Sequence, residues 1–261
     1  MALLEMKNVT MRFGGLTAVD HLSLEVDQGE IVSLIGPNGA GKTTVFNTIT
    51  GVYEITGGDI YFEDQQISKL LPREIVKRGV SRTFQNIRLF GKLRVIENAL
   101  IGAHINMNYS LIDTFFRTPK YKKQELEIHE KALKVLGSIG LQDCIDEYAE
   151  NLPYGLQRRL EIARAIMSGA KLLLLDEPAA GMNPQESEDL MQFIKSLRSK
   201  GYTILLIEHD MNVVMKVSDR IYVVDYGKLI AQGKPEQIKN DPNVIRAYLG
   251  TVSEDLGGTA L

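Results

Sequence analysis

The sequence predicts an α/β fold built on a central, mainly parallel β-sheet. Three short runs, residues 31–35, 172–175 and 203–207, are apolar at nearly every position. Strands that are buried on both faces of a parallel sheet have this composition. The first run leads into a glycine-rich turn and a helical segment, and the second run ends in two carboxylates. A strand, a glycine turn and a helix in this order are the context of a phosphate-binding loop.

The glycine-rich turn fits the pattern G-x-x-x-x-G-K-[ST]. Its glycines let the backbone bend around an anion, so that N–H groups and the N-terminus of the next helix point at a phosphate. Lys42 would attract the β- and γ-phosphates, and Thr43 would offer a hydroxyl to Mg²⁺. The predicted nucleotide contacts here are Gly36, Pro37, Asn38, Gly39, Ala40, Gly41, Lys42, Thr43 and Thr44. An ordinary glycine turn is the competing interpretation, which the full pattern in its context disfavours.

Asp176 and Glu177 follow the second apolar run directly. Consecutive side chains of a strand point to opposite faces, so we expect the two carboxylates to have different roles. Asp176 is the candidate Mg²⁺ ligand, directly or through water, and Glu177 is the candidate general base for an attacking water. A solvated acidic turn is the alternative, and the phosphate loop upstream argues against it.

A third segment of interest is residues 152–159, which read Leu-Pro-Tyr-Gly-Leu-Gln-Arg-Arg. With the other two, it makes the chain resemble the ATP-binding cassette (ABC) ATPases over nearly its whole length. The signature of that family reads L-S-G-G-Q, followed by Q-R-R. Here the matching residues are Leu152, Gly155, Gln157, Arg158 and Arg159, and the departures are Pro153, Tyr154 and Leu156.

In that family, two subunits pack head to tail, and the signature of each covers the ATP on its partner's phosphate loop. The resemblance therefore implies that Tyr154 and Gly155 contact nucleotide. Pro153 stands where the family has a serine for the γ-phosphate, and it carries neither a hydroxyl nor an N–H. Pro153 suits the first turn of the helix that starts here, and the dipole of this helix and nearby N–H groups remain. We therefore expect a working but weaker sandwich.

Further positions take their expected roles from the same resemblance, which implies ATP and Mg²⁺ as ligands. Gln85 matches the glutamine that senses Mg²⁺ and the attacking water, and His209 matches the histidine that contacts the γ-phosphate and steadies Glu177. Phe13 matches the aromatic residue that stacks on adenine. Asn183 replaces an aspartate in a loop that communicates between subunits.

The resemblance also implies the fold: a P-loop NTPase of the ABC-ATPase type with a mixed or mainly parallel central sheet. A small antiparallel β subdomain would lie near the N-terminus, and residues of about 93–165 would form an inserted α-helical subdomain. We expect one domain over residues 1–250 and a mobile tail over 251–261. The last helix is predicted to begin after Asp241 and to end at about Leu249.

Composition limits the possible partners and compartments. The chain has 261 residues, 44% of them hydrophobic, which suffices for one large domain. With one phosphate loop, it cannot form a two-site sandwich alone.

The net charge of −3 and the lack of a long basic stripe disfavour nucleic acid as a partner. The single cysteine, Cys144, suits a reducing compartment. The sequence shows no signal peptide and no membrane-spanning run, so membrane association is expected through a partner.

Four segments, residues 82–90, 158–164, 176–181 and 241–250, resemble the ATPases of branched-chain amino-acid importers. This resemblance implies two membrane permease subunits and a second ABC ATPase, either a paralogue or a copy. It also implies a periplasmic or lipid-anchored substrate-binding protein and a place at the cytoplasmic face of the cell membrane. The groove near residues 85–93 would receive a helix of the permease.

Three alternatives remain at this stage. The chain could serve a transporter for another cargo, such as urea or lipopolysaccharide, because none of its residues is expected to touch the cargo. It could be a soluble cassette ATPase of an assembly scaffold. A P-loop kinase or GTPase is disfavoured by the signature segment and by the lack of an Asn-Lys-x-Asp motif.

Overall fold

The computed structural model describes residues 2–107, 111–116 and 118–255, which contain two β-sheets of different kinds. The strands are β1 (Ala2–Phe13), β2 (Leu16–Asp27), β3 (Ile31–Ile35), β4 (Gly57–Phe62), β5 (Gln65–Gln66), β6 (Val80–Arg82), β7 (Leu172–Asp176), β8 (Thr203–Ile207), β9 (Arg220–Asp225) and β10 (Lys228–Gly233). The larger sheet has the order β10-β9-β3-β8-β7-β6, and the smaller sheet has the order β2-β1-β4-β5. The helices are α1 (Lys42–Ile49), α2 (Pro72–Arg78), α3 (Val95–Ala103), α4 (Leu111–Phe115), α5 (Pro119–Ser138), α6 (Tyr154–Met167), α7 (Pro184–Ser199), α8 (Met211–Val217), α9 (Pro235–Lys239) and α10 (Pro242–Asp255).

The larger sheet is parallel except at one edge, where β10 runs antiparallel to β9. This confirms the predicted α/β fold. The three apolar runs form its central strands β3, β8 and β7, and every residue of these strands is buried. Ile207 of β8 pairs with Leu34 on one side and with Asp176 on the other. The phosphate loop, the acidic pair and His209 therefore leave the sheet at the same edge.

The two faces of the larger sheet pack into different cores, because side chains alternate along each strand. Leu172 and Leu174 of β7 face a core shared with the antiparallel sheet and with α1. Leu173 and Leu175 face a core shared with the helical insertion and with α7. The predicted antiparallel sheet is confirmed, and it pairs β1 with both β2 and β4.

The helical insertion is organised around the packing of α3 and α5 against α6. Gly102 of α3 lies so close to α6 that a Cβ atom there would be 2.2 Å from the Arg164 carbonyl oxygen. Pro153, expected in the first turn of α6, instead occupies the N-cap position, and Tyr154 is the first helical residue. A proline has no N–H to leave unsatisfied at either position.

The last helix begins as predicted, and Asp241 Oδ1 accepts hydrogen bonds from the N–H groups of Asn243 at 2.7 Å and Val244 at 3.4 Å. The predicted end at about Leu249 is wrong, because α10 continues to Asp255. A glycine inside a helix costs only about 1 kcal/mol relative to alanine, so Gly250 alone does not stop it. The rest of the predicted tail, residues 256–261, lies outside the described residues.

None of the helices in the described ranges is both long and apolar enough to cross a membrane.

The contact between α3 and α6 gives a test with an internal control. Gly102→Ala would place a methyl group against the Arg164 carbonyl and should lower the free energy of unfolding by about 1–3 kcal/mol. Gly137→Ala, on an exposed part of α5 with open space around it, should raise the free energy by about 0.5–1 kcal/mol. Urea unfolding of both variants measures the difference. Equal effects of the same sign would contradict the close helix packing.

Candidate functional site

The phosphate loop joins β3 to α1, and the side chain of Lys42, the first residue of α1, folds back onto the loop backbone. The Lys42 Nζ atom donates hydrogen bonds to the carbonyl oxygens of Gly36 at 2.7 Å and Pro37 at 2.9 Å. Burial lowers the pKa of Lys42, and the negative charges of Glu177 and Asp176 act in the opposite direction. The ammonium group therefore binds the loop backbone and is also attracted by the two carboxylates.

Two glycines of this loop are required by close packing against neighbouring strands. Gly36 has a φ of 157°, and a Cβ atom there would lie 2.0 Å from the Val224 carbonyl oxygen of β9. Gly41 has a φ of 100°, and its Cβ atom would lie 2.4 Å from the Ala18 carbonyl oxygen of β2. L side chains rarely adopt either backbone conformation. The loop is therefore held in shape by both sheets.

A cleft of about 430 Å³ opens beside this loop. It is lined by Phe13, Leu16, Thr17, Ala18, Asn38, Gly39, Ala40, Gly41, Lys42, Thr43, Thr44, Glu177, Tyr226 and Gly227. Phe13 lies at the end of β1, is 41% exposed, and packs edge to face against Tyr53 with 5.1 Å between ring centroids. The sequence did not reveal Leu16 and Tyr226, since their place here depends on how the β1–β2 and β9–β10 hairpins pack around the loop.

The two carboxylates after β7 face different partners. Arg82 Nη2 donates to Asp176 Oδ2 at 2.6 Å, and both side chains are buried. Gln85 Nε2 donates to Glu177 Oε2 at 2.7 Å, and His209 Nδ1 lies 3.6 Å from the same oxygen. Glu177 also turns the chain, with a φ of 43°. The structure thus brings Glu177, Gln85 and His209 together, whereas Asp176 pairs with Arg82.

Glu208 is a buried carboxylate that the sequence analysis missed. Its Oε1 accepts a hydrogen bond from the Ala179 N–H at 2.9 Å, and its Oε2 accepts one from the His209 N–H at 3.3 Å. Burial raises the pKa of Glu208, whereas these two N–H groups lower it. Glu208 therefore holds the loop after Glu177 in a fixed relation to His209.

Asn183 has a local role in this loop that explains how it can replace an aspartate. Its Oδ1 accepts a hydrogen bond from the Glu186 N–H at 2.9 Å, and Glu186 Oε2 accepts one from the Asn183 N–H at 3.0 Å. This is a capping box at the start of α7, for which asparagine and aspartate are equally suited.

The signature segment forms the start of α6, away from the cleft of its own chain. Tyr154 donates its hydroxyl to the Ala180 carbonyl oxygen at 3.1 Å. Gly155 is half-buried, with open space where a Cβ atom would be. Among the described residues that line the cleft, neither Tyr154 nor Gly155 occurs. Their contact with nucleotide stays a prediction.

Arg158, one turn further along α6, ties this helix to the segment that carries Gln85. Its Nη1 donates to the Phe84 carbonyl oxygen at 2.6 Å and to Glu161 Oε2 at 2.7 Å. Its Nη2 donates to the Gln85 carbonyl oxygen at 2.6 Å. The Arg158 side chain is 0% exposed and that of Glu161 is 2% exposed. In the sequence, such a pair three residues apart resembles an ordinary surface ion pair.

Oxygen groups on the phosphate loop, at the end of β7 and after β6 could hold Mg²⁺ together with a nucleotide. No group of three or more His, Cys, Asp or Glu side chains within the described residues forms a metal centre by itself. The available groups are the exposed Thr43 hydroxyl, the Asp176 carboxylate and the Gln85 amide. Mg²⁺ is commonly held by one or two carboxylates plus substrate phosphates rather than by an all-protein cage.

With this geometry in view, comparison with known proteins decides the family. A model of the ABC transporter family matches residues 19–180. The chain belongs to the ABC transporter family. A second model, for branched-chain amino acid ATP-binding cassette transporters, matches residues 228–253. The chain is 51% identical to the high-affinity branched-chain amino acid transport ATP-binding protein LivG of Escherichia coli K12, over 95% of this chain and 98% of that protein.

Solved structures agree with the fold. The ADP conformation of an ATP-binding cassette of an ABC transporter is 35% identical, with a TM-score of 0.84 over 96% of this chain and 99% of that one. A dimeric ATP-binding cassette bound to ADP and phosphate in a post-hydrolysis state is 26% identical, with a TM-score of 0.71 over 89% and 98% of the two chains. These findings confirm the resemblance to ABC ATPases, and the chain is a nucleotide-binding ATPase of this family.

The Arg158 network can be tested by unfolding. Arg158→Met should lower the free energy of unfolding by about 3–5 kcal/mol, because the buried Glu161 would lose the guanidinium that is hydrogen-bonded to it. Replacing both residues by methionine should recover much of that loss, since no buried charge remains.

The matched control is Lys123→Met, which removes an exposed pair with Glu127 whose charged atoms are 3.9 Å apart. It should change the free energy by less than about 1 kcal/mol. Urea unfolding compares the variants. A double variant less stable than Arg158→Met would contradict this assignment.

Proposed function

We propose that this chain is the ATP-hydrolysing subunit of an importer for branched-chain amino acids. The main support for ATP hydrolysis is the position of Glu177, which lines the same cleft as the phosphate loop. Its Oε2 atom is 2.7 Å from Gln85 Nε2. The cargo is inferred from the relative from Escherichia coli and from the C-terminal family match, both described above. Together they span nearly the whole chain.

The nucleotide would lie along the cleft, with the phosphates at the loop and the base near β1. Backbone N–H groups of residues 36–44 and the N-terminus of α1 would bind the phosphates. Lys42 would move from the loop carbonyls to the β- and γ-phosphate oxygens. Thr44 would contact the α-phosphate, and the exposed ring of Phe13 would stack on adenine.

Hydrolysis needs a positioned water and charge stabilisation at the γ-phosphate. Glu177 would accept the proton of that water, which Gln85 helps to orient. His209, 3.6 Å from Glu177, would hold the Glu177 carboxylate and contact the γ-phosphate. Mg²⁺, held by Thr43, Asp176 and Gln85, would neutralise charge on the phosphate oxygens.

A second cassette would complete each site. The chain has a single phosphate loop, and Tyr154 and Gly155 lie at the start of α6, away from their own cleft. In a head-to-tail pair, with a copy or a paralogue, these residues would cover the nucleotide of the partner. Open space around Gly155 would allow the close approach of a phosphate.

The partners follow from the importer assignment. Two membrane permease subunits would hold this chain at the cytoplasmic face of the cell membrane. A periplasmic or lipid-anchored binding protein would deliver the cargo. The segment after Gln85 suits the permease contact, because Leu89 packs into the core while Phe90 is 53% exposed. No nucleic acid is expected.

Glu177→Gln should retain ATP binding and lose turnover, because the amide cannot accept the proton of the attacking water. The variant should accumulate as a nucleotide-bound dimer. Phosphate release and size-exclusion chromatography in Mg²⁺ and ATP measure the two effects. Turnover close to that of the unsubstituted protein would exclude Glu177 as the base.

Lys42→Ala should abolish ATP binding, since the loop would lose the charge that meets the phosphates. Isothermal titration with ATP measures the loss, with exposed Lys92→Ala as the control that should bind normally. Micromolar affinity in Lys42→Ala would contradict the assignment of the phosphate loop.

The importer assignment is tested by what co-purifies with the chain from mildly solubilised membranes of its native host. We expect two multi-span permease subunits and a second cassette ATPase, followed by ATP-dependent uptake of labelled leucine in vesicles that contain the complex. Uptake of urea, or co-purification with subunits of a lipopolysaccharide exporter, would show that the complex transports that cargo and not branched-chain amino acids. Recovery with soluble partners only would indicate an assembly ATPase.

A further inference from the structure

Arg82 makes the closest charged contact to the candidate magnesium ligand. It is the last residue of β6, and its Nη2 atom is 2.6 Å from Asp176 Oδ2. The side chains of Arg82 and Asp176 are only 7% and 8% exposed. A charge-assisted hydrogen bond between two buried groups has a defined geometry and is weakly screened by salt.

The guanidinium of Arg82 is also fixed by contacts that do not involve Asp176. Its Nη1 atom donates to Asn47 Oδ1 on α1 at 2.6 Å. Its central carbon lies 5.5 Å from the ring centroid of Phe46 and 5.1 Å from that of Phe84. Arg82 is therefore a rigid group held by the helix after the phosphate loop and by the segment before Gln85.

This rigidity determines what the contact does to Asp176. The bond engages Oδ2, which leaves Oδ1 as the oxygen that the carboxylate can offer to another ligand. Lys42 is the competing cation, because the charges of Asp176 and Lys42 attract each other across the site. Without Arg82, the carboxylate would be drawn towards Lys42, whose ammonium group is needed for the phosphates.

We propose that Arg82 is a positioning residue for magnesium, which holds Asp176 by one oxygen so that the other faces the metal of a bound nucleotide. The proposal rests on the assignment of Asp176 as a magnesium ligand in the proposed function. The positive charge of Arg82 also repels Mg²⁺. Positioning dominates, because the fixed guanidinium both orients Asp176 and keeps it from Lys42.

The experiment measures binding of a fluorescent ATP analogue to Arg82→Met and Arg82→Lys, first in EDTA and then at increasing Mg²⁺. Affinity in EDTA should stay within about threefold of that of the unsubstituted protein, because the phosphate loop is intact. The Mg²⁺ concentration that gives half of the magnesium effect should rise by about tenfold or more in Arg82→Met. Arg82→Lys should show a smaller rise, since lysine keeps the positive charge but lacks the planar guanidinium that bonds to Asn47 and Asp176 at the same time.

Two further variants serve as matched controls. Asn47→Ala loosens Arg82 without touching Asp176 and should raise the magnesium requirement by less than Arg82→Met. Arg88→Met removes another guanidinium that stacks on Phe84, at 4.3 Å from the ring centroid, and should leave the requirement unchanged. Thermal unfolding checks that each variant is folded, and Arg82→Lys and Asn47→Ala carry the test if Arg82→Met does not fold.

Asp176→Asn, measured in parallel, distinguishes the role of Asp176 from that of Arg82. If it does not raise the magnesium requirement, the assignment of Asp176 fails, and this proposal fails with it. If Asp176→Asn raises the requirement but folded Arg82 variants leave it unchanged or lower it, the role of Arg82 alone is overturned.

Discussion

The buried hydrogen bonds of Arg158 join the helical insertion to the part of the chain that holds the cleft. With the buried Glu161 beside it, the guanidinium binds the backbone carbonyl oxygens of Phe84 and Gln85. Both Nη atoms of the guanidinium donate to acceptors, which offsets part of the cost of burying this ion pair. Since the side chain of Gln85 reaches Glu177, a displacement of α6 would move Gln85 relative to the Glu177 carboxylate.

Around the end of β7, the charged groups are divided between two sets. Asp176 faces Arg82 and the helix after the phosphate loop, whereas Glu177 faces Gln85 and His209. Asp176 is the last residue of β7 and Glu177 turns the chain with a φ of 43°, so the two carboxylates meet different neighbours. The first set is suited to hold a metal and the second to activate water.

The fold could be predicted from local patterns, whereas several contacts of the site could not. The apolar runs, the phosphate loop and the acidic pair each carry their information within a few neighbouring residues. The contacts of Arg82, Arg158 and Glu208 depend on strand register and on packing between elements that are far apart in sequence. In the sequence they resemble surface charges, because charged residues are rarely fully buried.

Because Arg158 joins α6 to residues 84–88, the two segments should respond to nucleotide as one unit. Amide hydrogen exchange of the unsubstituted chain, with and without Mg²⁺ and ATP, tests it most directly. The account predicts increased protection of residues 36–44 together with a joint change in residues 84–88 and 154–164. Protection confined to residues 36–44, or a change in residues 84–88 with none in α6, would contradict it.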